Sequence, residues 1–333
     1  MGAPRVVIVG AGLMGRWHAH AARRAGAVVR AVVDRDAARA AALARSSGGA
    51  AACGRLEEAL AGGGVDVVHV CTPSATHEGL AAAALAAACH VLVEKPLASS
   101  LAATRQLLSA AHQAGRLLCP VHQFLFQRGV LRAQALLASF GPLRHFEMRV
   151  CSAGAEGRPE ADRDAVALEI LPHALALAVR YCPASISEGD WKLRRAASGE
   201  LLVNGLVGGV SVSVHVSMAG RPPVNQLLLV AERGSIHADL FHGFAYVEQG
   251  GASRTGKIVR PFVVAMRQGA AASTNLVQRA MRGESAYPGL RELVGRFYAA
   301  AADGTAGPIP AVETLAVADV WDRLSAMARS SWG

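Results

Sequence analysis

An apolar strand, Arg5–Val9, runs directly into Gly10-Ala11-Gly12-Leu13-Met14-Gly15, and a helical pattern opens inside those glycines. Few folds accept that arrangement. A strand, a tight glycine turn and a helix starting over the strand end make the first half of a βαβ unit. In such a unit Gly10 makes the turn, Gly12 lets the backbone approach a pyrophosphate, and Gly15 lets the helix pack close to the strand. Leu13 and Met14 open the helix, whose free N–H groups and positive dipole end suit phosphate. Asp34 ends the next strand, Val28–Val33, where a carboxylate accepts hydrogen bonds from a ribose diol. Gly10, Gly12, Leu13, Met14, Gly15, Asp34 and Arg35 are therefore the candidates for holding a dinucleotide. Asp34 repels a 2′-phosphate, which favours NAD. Arg35 can hold that phosphate or stack on adenine, which leaves NADP open.

The alternation of strand and helix continues to about residue 121, with strands expected at 65–71, 90–93 and 116–121. It predicts an α/β Rossmann domain over 1–121, a doubly wound parallel sheet with right-handed crossovers. The pattern then changes. His145–Cys151, Trp191–Ala196, Leu201–Leu206, Gly209–Ser217, Gln226–Ala231 and Ala245–Gln249 read as strands with few helices between them. Gly209–Ser217 alternates strictly, as a half-buried antiparallel strand does. Residues 122–333 thus read as a C-terminal α+β domain with a large, open, mainly antiparallel sheet. Its C-terminal helices are expected to pack back on the first domain. Ala153–Asp164, rich in small and charged residues, reads as a loop.

Composition narrows the class. Of 333 residues, 52% are hydrophobic and 18% charged, enough for large cores and unlike a disordered chain. No apolar run reaches the roughly 18–20 residues of a membrane span, and Met1–Arg5 carries no signal-peptide pattern, so a soluble cytoplasmic protein is expected. The net charge of +9 comes from scattered arginines without an aromatic stripe, which fits an anionic cofactor better than nucleic acid. The six cysteines form neither CxxC nor a Cys/His ligand spacing, so reduced thiols and no metal are expected.

Three further motifs carry chemistry. Cys71-Thr72-Pro73-Ser74 closes the fourth strand, and ligands of open α/β sheets bind outside the carboxyl ends of strands. Cys71, Thr72 and Pro73 are candidates for the nicotinamide side, and Ser74 suits a helix cap. His77 follows in the first turn, as a cofactor neighbour or a surface histidine. Glu94-Lys95-Pro96 closes the fifth strand. Only three lysines exist in the chain, Lys95, Lys192 and Lys257, and one stands where ligands bind. A lysine there can hold or transfer a hydroxyl proton. Glu169-Ile170-Leu171-Pro172-His173 places a carboxylate and an imidazole at i and i+4, on one face if helical. Pro172 is expected at the start of the helix proper.

Taken in order, Gly10-x-Gly12-x-x-Gly15-x-x-His18, Thr72-Pro73-Ser74 with His77, Glu94-Lys95-Pro96 and the Glu169/His173 segment resemble the Gfo/Idh/MocA family, the relatives of glucose–fructose oxidoreductase and inositol dehydrogenase. The stretch Gly141–Glu147 is similar to the family's lead into its C-terminal sheet. The resemblance implies hydride transfer between a nicotinamide and a hydroxyl or carbonyl carbon of a sugar, nucleotide sugar or cyclitol. It implies that Lys95 contacts the reacting hydroxyl, that His173 exchanges its proton and that Glu169 assists. It also implies a homodimer or homotetramer formed through the C-terminal sheet. Glu169 stands where the family usually has Asp, and Ala176 where it often has a second Asp. Gln123-Phe124-Leu125-Phe126 replaces an Arg-rich pair, giving a less polar pocket. Gln123, Phe126 and Arg163 are the further substrate candidates. The alternatives are a reductase of C=N or C=C bonds, a glycosidase that oxidises its substrate transiently, and a cofactor-binding regulator without catalysis.

Overall fold

The computed structural model describes residues 2–182, 186–250, 254–284 and 286–332. By its internal contacts the chain divides into two units: Met1–His122 with Leu290–Asp319, and Gln123–Gly289 with Val320–Gly333. The first unit is discontinuous in sequence, because the helix at Leu290–Asp303 packs on the first helix of the chain.

The first unit holds β1 Arg5–Val9, α1 Leu13–Arg24, β2 Val28–Val33, α2 Ala37–Ser46, β3 Ala51–Cys53, α3 Leu56–Ala61, β4 Val67–Val70, α4 His77–Ala86, β5 His90–Val93, α5 Leu101–Gln113 and β6 Leu118–Pro120. The six strands are parallel in the order β3-β2-β1-β4-β5-β6, so the strand order reverses between β1 and β4. Val7, Val9, Val68, Val70, Val91 and Val93 form the centre of its core. Continuous valine runs suit strands covered on both faces. Asp36 caps α2 by accepting from the N–H groups of Ala38 and Arg39, and Ser100 caps α5 by accepting from Ala103. Ser74 does not begin α4. It lies in a 3₁₀ turn, Ser74–Thr76, and α4 starts at His77.

The second unit holds α6 Arg128–Leu137, β7 Leu143–Cys151, α7 Glu160–Tyr181, β8 Asp190–Ala197, β9 Glu200–Val207, β10 Val210–Ser217, β11 Val224–Ala231, β12 Gly234–Asp239, β13 Phe244–Gln249 and α8 Arg254–Arg282. Its seven strands run β13-β12-β11-β7-β10-β9-β8, antiparallel except for the parallel pair β7–β10. α7 covers β7, β9 and β10 on one face, over Phe146, Met148, Val203, Val212 and Val214. Three sequence expectations change here. α7 starts at Glu160, so it takes in the last five of the twelve residues of the expected loop, and Pro172 sits inside the helix. The packing around and after it holds the helix through the missing N–H, since Leu171 and Ala174–Ala178 are all buried. β12, Gly-Ser-Ile-His-Ala-Asp, was not expected as a strand, because its alternation is short and carries only Ile236 and Ala238 as apolar residues; its pairing with β11 and β13 defines it. The last two helices are α9 Leu290–Asp303, in the first unit, and α10 Ala311–Trp332, whose residues from Val320 onward belong to the second. No helix among the described residues is long and apolar enough to cross a membrane.

Candidate active site

The glycine loop is shaped by contacts that a side chain would break. Gly10 has φ +99°, and a Cβ there would lie 2.8 Å from the Cys71 carbonyl oxygen. A Cβ on Gly15 would lie 1.8 Å from the Gly10 carbonyl oxygen. Gly12 differs, because a Cβ there would meet nothing within 4 Å. The space over Gly12 is open, and α1 begins beneath it with no side-chain cap and no acidic residue in its first turn. Free N–H groups at a helix start with room above them are what a pyrophosphate needs. Leu13 is 63% exposed beside this space, and Met14 is half-buried.

Asp34, at the end of β2, is already engaged. Its Oδ2 accepts from the Ala11 N–H at 2.7 Å and its Oδ1 from the Asp36 N–H at 2.9 Å. Each oxygen keeps a second lone pair. The carboxylate therefore braces the glycine loop and can still accept from a ribose. Arg35 beside it is exposed. These residues fit a dinucleotide with a free ribose diol.

The ends of β4 and β5 are laced together. His77 is buried, not a surface residue, and its Nδ1 and Nε2 lie 2.7 Å from the Pro96 oxygen and 2.8 Å from the Thr72 oxygen. Thr76 Oγ1 donates to Thr72 Oγ1 at 2.7 Å, and the Ser99 N–H donates to Glu78 Oε1 at 2.7 Å. One helix start thus fixes both turns, Thr72-Pro73 and Lys95-Pro96. The Lys95–Pro96 peptide is cis, and Lys95 is half-buried. Desolvation, with the Glu94 charge adding to it, pushes the Cys71 thiol well above its ordinary range.

Behind Lys95 a buried polar chain crosses the unit. Tyr298 Oη lies 2.7 Å from His69 Nε2, His69 Nδ1 lies 2.9 Å from His18 Nδ1, and His18 Nε2 lies 3.0 Å from Glu94 Oε1. The other Glu94 oxygen accepts from the Lys95 N–H at 3.3 Å. Two proton arrangements satisfy every link. In one, Tyr298 donates to His69, His69 to His18, and His18 to the Glu94 carboxylate; in the other, a doubly protonated His18 donates to both Glu94 and His69, and His69 donates to Tyr298. Desolvation, then the neighbouring His18, holds His69 well below its ordinary range, and desolvation, then Cys71, holds the Tyr298 phenol well above its own. Desolvation pushes Glu94 up, but the His18 hydrogen bond, with electrostatic help from His18 and Lys95, outweighs it and keeps the group ionised. His122, just past β6, is buried, and desolvation followed by Lys95 pushes it down to about 4. Sequence reasoning quoted His18 only within a motif and missed His69, His122 and Tyr298. The available signal was His69, a histidine in the otherwise all-valine strand Val67–Val70.

In the second unit His173 is buried on α7, its ring 4.6 Å from that of Phe124 and tilted by 32°. Glu169 lies one turn earlier on the same helix and is exposed, so the i, i+4 relation holds in space. Ala176 is buried. Gln123 and Phe126 belong to the buried 3₁₀ turn Gln123–Phe126, and the Gln123 Oε1 has no hydrogen-bond partner among the described residues. Arg163 is not brought to His173. It sits ten residues back on α7, about 15 Å along the axis, with its Cβ against Gly199. Among the described residues no group of His, Cys, Asp and Glu could hold a metal ion.

Residues 4–122 match the model of an oxidoreductase family with an NAD-binding Rossmann fold, GFO_IDH_MocA. Inositol 2-dehydrogenase of Corynebacterium glutamicum (strain R) is 44% identical over 95 residues, 28% of either chain. The match thus spans under a third of that relative. Among solved structures, GenD2 from gentamicin A biosynthesis, in complex with NAD, is 25% identical with a TM-score of 0.76, covering 100% of this chain and 96% of its own. Levoglucosan dehydrogenase, in complex with NADH and levoglucosan, shares the fold with a TM-score of 0.78 at 17% identity, covering 98% of each chain. The glycine loop, the Glu94-Lys95-Pro96 turn and these likenesses agree: residues 4–122 form an NAD-binding Rossmann unit of the Gfo/Idh/MocA oxidoreductase type.

Proposed function

We propose that the protein is an NAD-dependent dehydrogenase or reductase acting at a CH–OH carbon of a sugar or cyclitol. The carrying observation is the turn after β5. A scarce lysine stands at the carboxyl end of a Rossmann strand, in a turn anchored by His77 and backed by the Glu94 carboxylate. The names of the similar proteins, an inositol dehydrogenase and a levoglucosan dehydrogenase, support that substrate class.

NAD, when bound, supplies the nicotinamide carbon that exchanges a hydride with the substrate. The chain's own part is binding and proton control. Gly12 and the start of α1 take the pyrophosphate, and Asp34 the ribose diol. Lys95 donates to the reacting oxygen and stabilises negative charge on it. His173 takes the hydroxyl proton in oxidation and returns it in reduction. Glu169, one turn away on the same helix, assists His173.

Lys95→Ala and His173→Ala should each lower kcat by at least 100-fold with a polyol or keto-sugar substrate, while NAD binding by calorimetry stays within about threefold. Wild-type turnover in both variants would overturn the assignment. A second reading, reduction of a C=N or C=C bond, draws on the Phe124 ring against His173 and on the buried Ala176. Activity on an imine with none on polyols or keto-sugars would favour it.

A further inference from the structure

α8 is unlike every other helix of the chain. It is 29 residues long, contains no Asp or Glu, and none of its residues from Ile258 onward is fully buried. Fourteen large hydrophobic side chains are exposed among the described residues, and eight of them lie on this helix. They are not scattered. At about 100° per residue, the half-buried positions Val264, Ala271, Asn275 and Gln278 form the inner side, where Asn275 donates to the His242 oxygen. The opposite side reads Ile258, Phe262, Met266, Gly269, Ser273 and Val277, flanked by Val259, Val263, Leu276 and Met281. The charges turn away from it. Arg260 pairs with Glu248, Arg267 donates to the Val247 oxygen and Arg279 to the His242 oxygen. The outer face is thus uncharged, and Phe262, Met266 and Met281 are 74%, 76% and 76% exposed upon it.

The order of residues along this face has a centre. Ile258 and Met281 lie equally far from the midpoint between Gly269 and Ala270. So do Phe262 and Val277, Val263 and Leu276, and Met266 and Ser273. Bulky residues occupy both ends, and small ones, Gly269 to Ser273, occupy the waist. A surface that matches itself under a two-fold rotation is what an isologous contact requires, and a small-residue waist lets two helix axes approach closely.

We propose that α8 is a self-association surface, on which a second copy of this chain lays its own α8 antiparallel, crossing at Gly269–Ala270. Ile258 then meets the second copy's Met281, and Phe262 meets the second copy's Val277. The size is adequate. From Ile258 to Met281 is about 35 Å, and half the surface of a helix about 11 Å across over that length is about 600 Å². That lies at the upper end of the largest patch a typical monomer leaves open and approaches the roughly 800 Å² per partner of a standard interface. The absence of charge argues against nucleic acid or an anionic lipid surface, which basic side chains would recognise.

Light scattering of the full-length protein at micromolar concentration tests the surface. Phe262→Glu with Met266→Glu should halve the wild-type mass and leave the NAD-induced rise in Tm unchanged, since neither side chain is buried. Cysteine cross-linking tests the geometry. Ala270→Cys should form a disulfide between copies on mild oxidation, Ile258→Cys alone should not, and Ile258→Cys with Met281→Cys should. A monomeric wild type, an unchanged mass in the double glutamate variant, or cross-linking through Ile258 but not Ala270 would each overturn the proposal. So would co-sedimentation of a monomer with phosphatidylglycerol vesicles.

Discussion

The Nε2 of His18 lies 3.0 Å from Oε1 of Glu94, and both side chains are buried. The pair holds an ionised carboxylate one residue before the lysine on which the proposed chemistry turns. Removing one partner of a buried pair leaves an uncompensated charge. His18→Ala should therefore cost about 3–5 kcal/mol of stability, read from denaturant midpoints. Adding Glu94→Gln should recover part of that loss, because a neutral amide needs no charged partner. An His18→Ala variant within 1 kcal/mol of wild type would show that the contact is weak.

Gly12 and Gly15 should separate binding from folding. A methyl at Gly15 would enter the Gly10 carbonyl, 1.8 Å away, whereas one at Gly12 meets no protein atom within 4 Å. Gly12→Ala should keep the Tm of the cofactor-free protein within a few degrees and weaken NAD at least tenfold, by about 1.4 kcal/mol or more. Gly15→Ala should lower that Tm strongly. Calorimetric titration beside thermal melts reads both.

Asp34 braces Ala11 and is the residue proposed to take the ribose. Asp34→Ser keeps a hydroxyl for the Ala11 N–H and removes the charge that repels a 2′-phosphate. The ratio of NADP to NAD affinity should rise by at least tenfold, with Arg35 free to take the phosphate. An unchanged ratio would mean that another residue sets cofactor preference.

His122 should make the protein acid-sensitive. Desolvation and Lys95 push it down to about 4, against about 6.5 in an unfolded chain. The unfolded state therefore binds the extra proton as pH falls from 6.5 toward 4, and stability drops over that window by about 3 kcal/mol. His69, shifted in the same direction, adds to the drop. His122→Gln should flatten the acid side of a Tm–pH curve, and a slope equal to wild type would exclude the residue as a source.

Much of the first unit was legible because its signals are local. The glycine spacing, Asp34 at the end of β2 and the valine strands each concern contacts within a turn or between sequence-adjacent elements. The strict alternation of Gly209–Ser217 likewise marked β10 correctly. Lys95 and His173 were also nominated locally, by position in a motif. Pro172 misled for the opposite reason. Its local rule predicts a helix start, and the buried packing of α7 overrides that rule.

What spacing alone determined, then, was the Rossmann unit, its dinucleotide loop and the residues nominated for chemistry. The tertiary structure decided which groups surround them. His18 reaches Glu94 across 76 residues and His69 reaches Tyr298 across 229. β7 pairs in parallel with β10, far along the chain, and β12 exists only between its two partners. Periodicity records which face of an element is apolar. It carries no record of which distant element will cover that face, and the buried polar chain behind Lys95 is made entirely of such meetings.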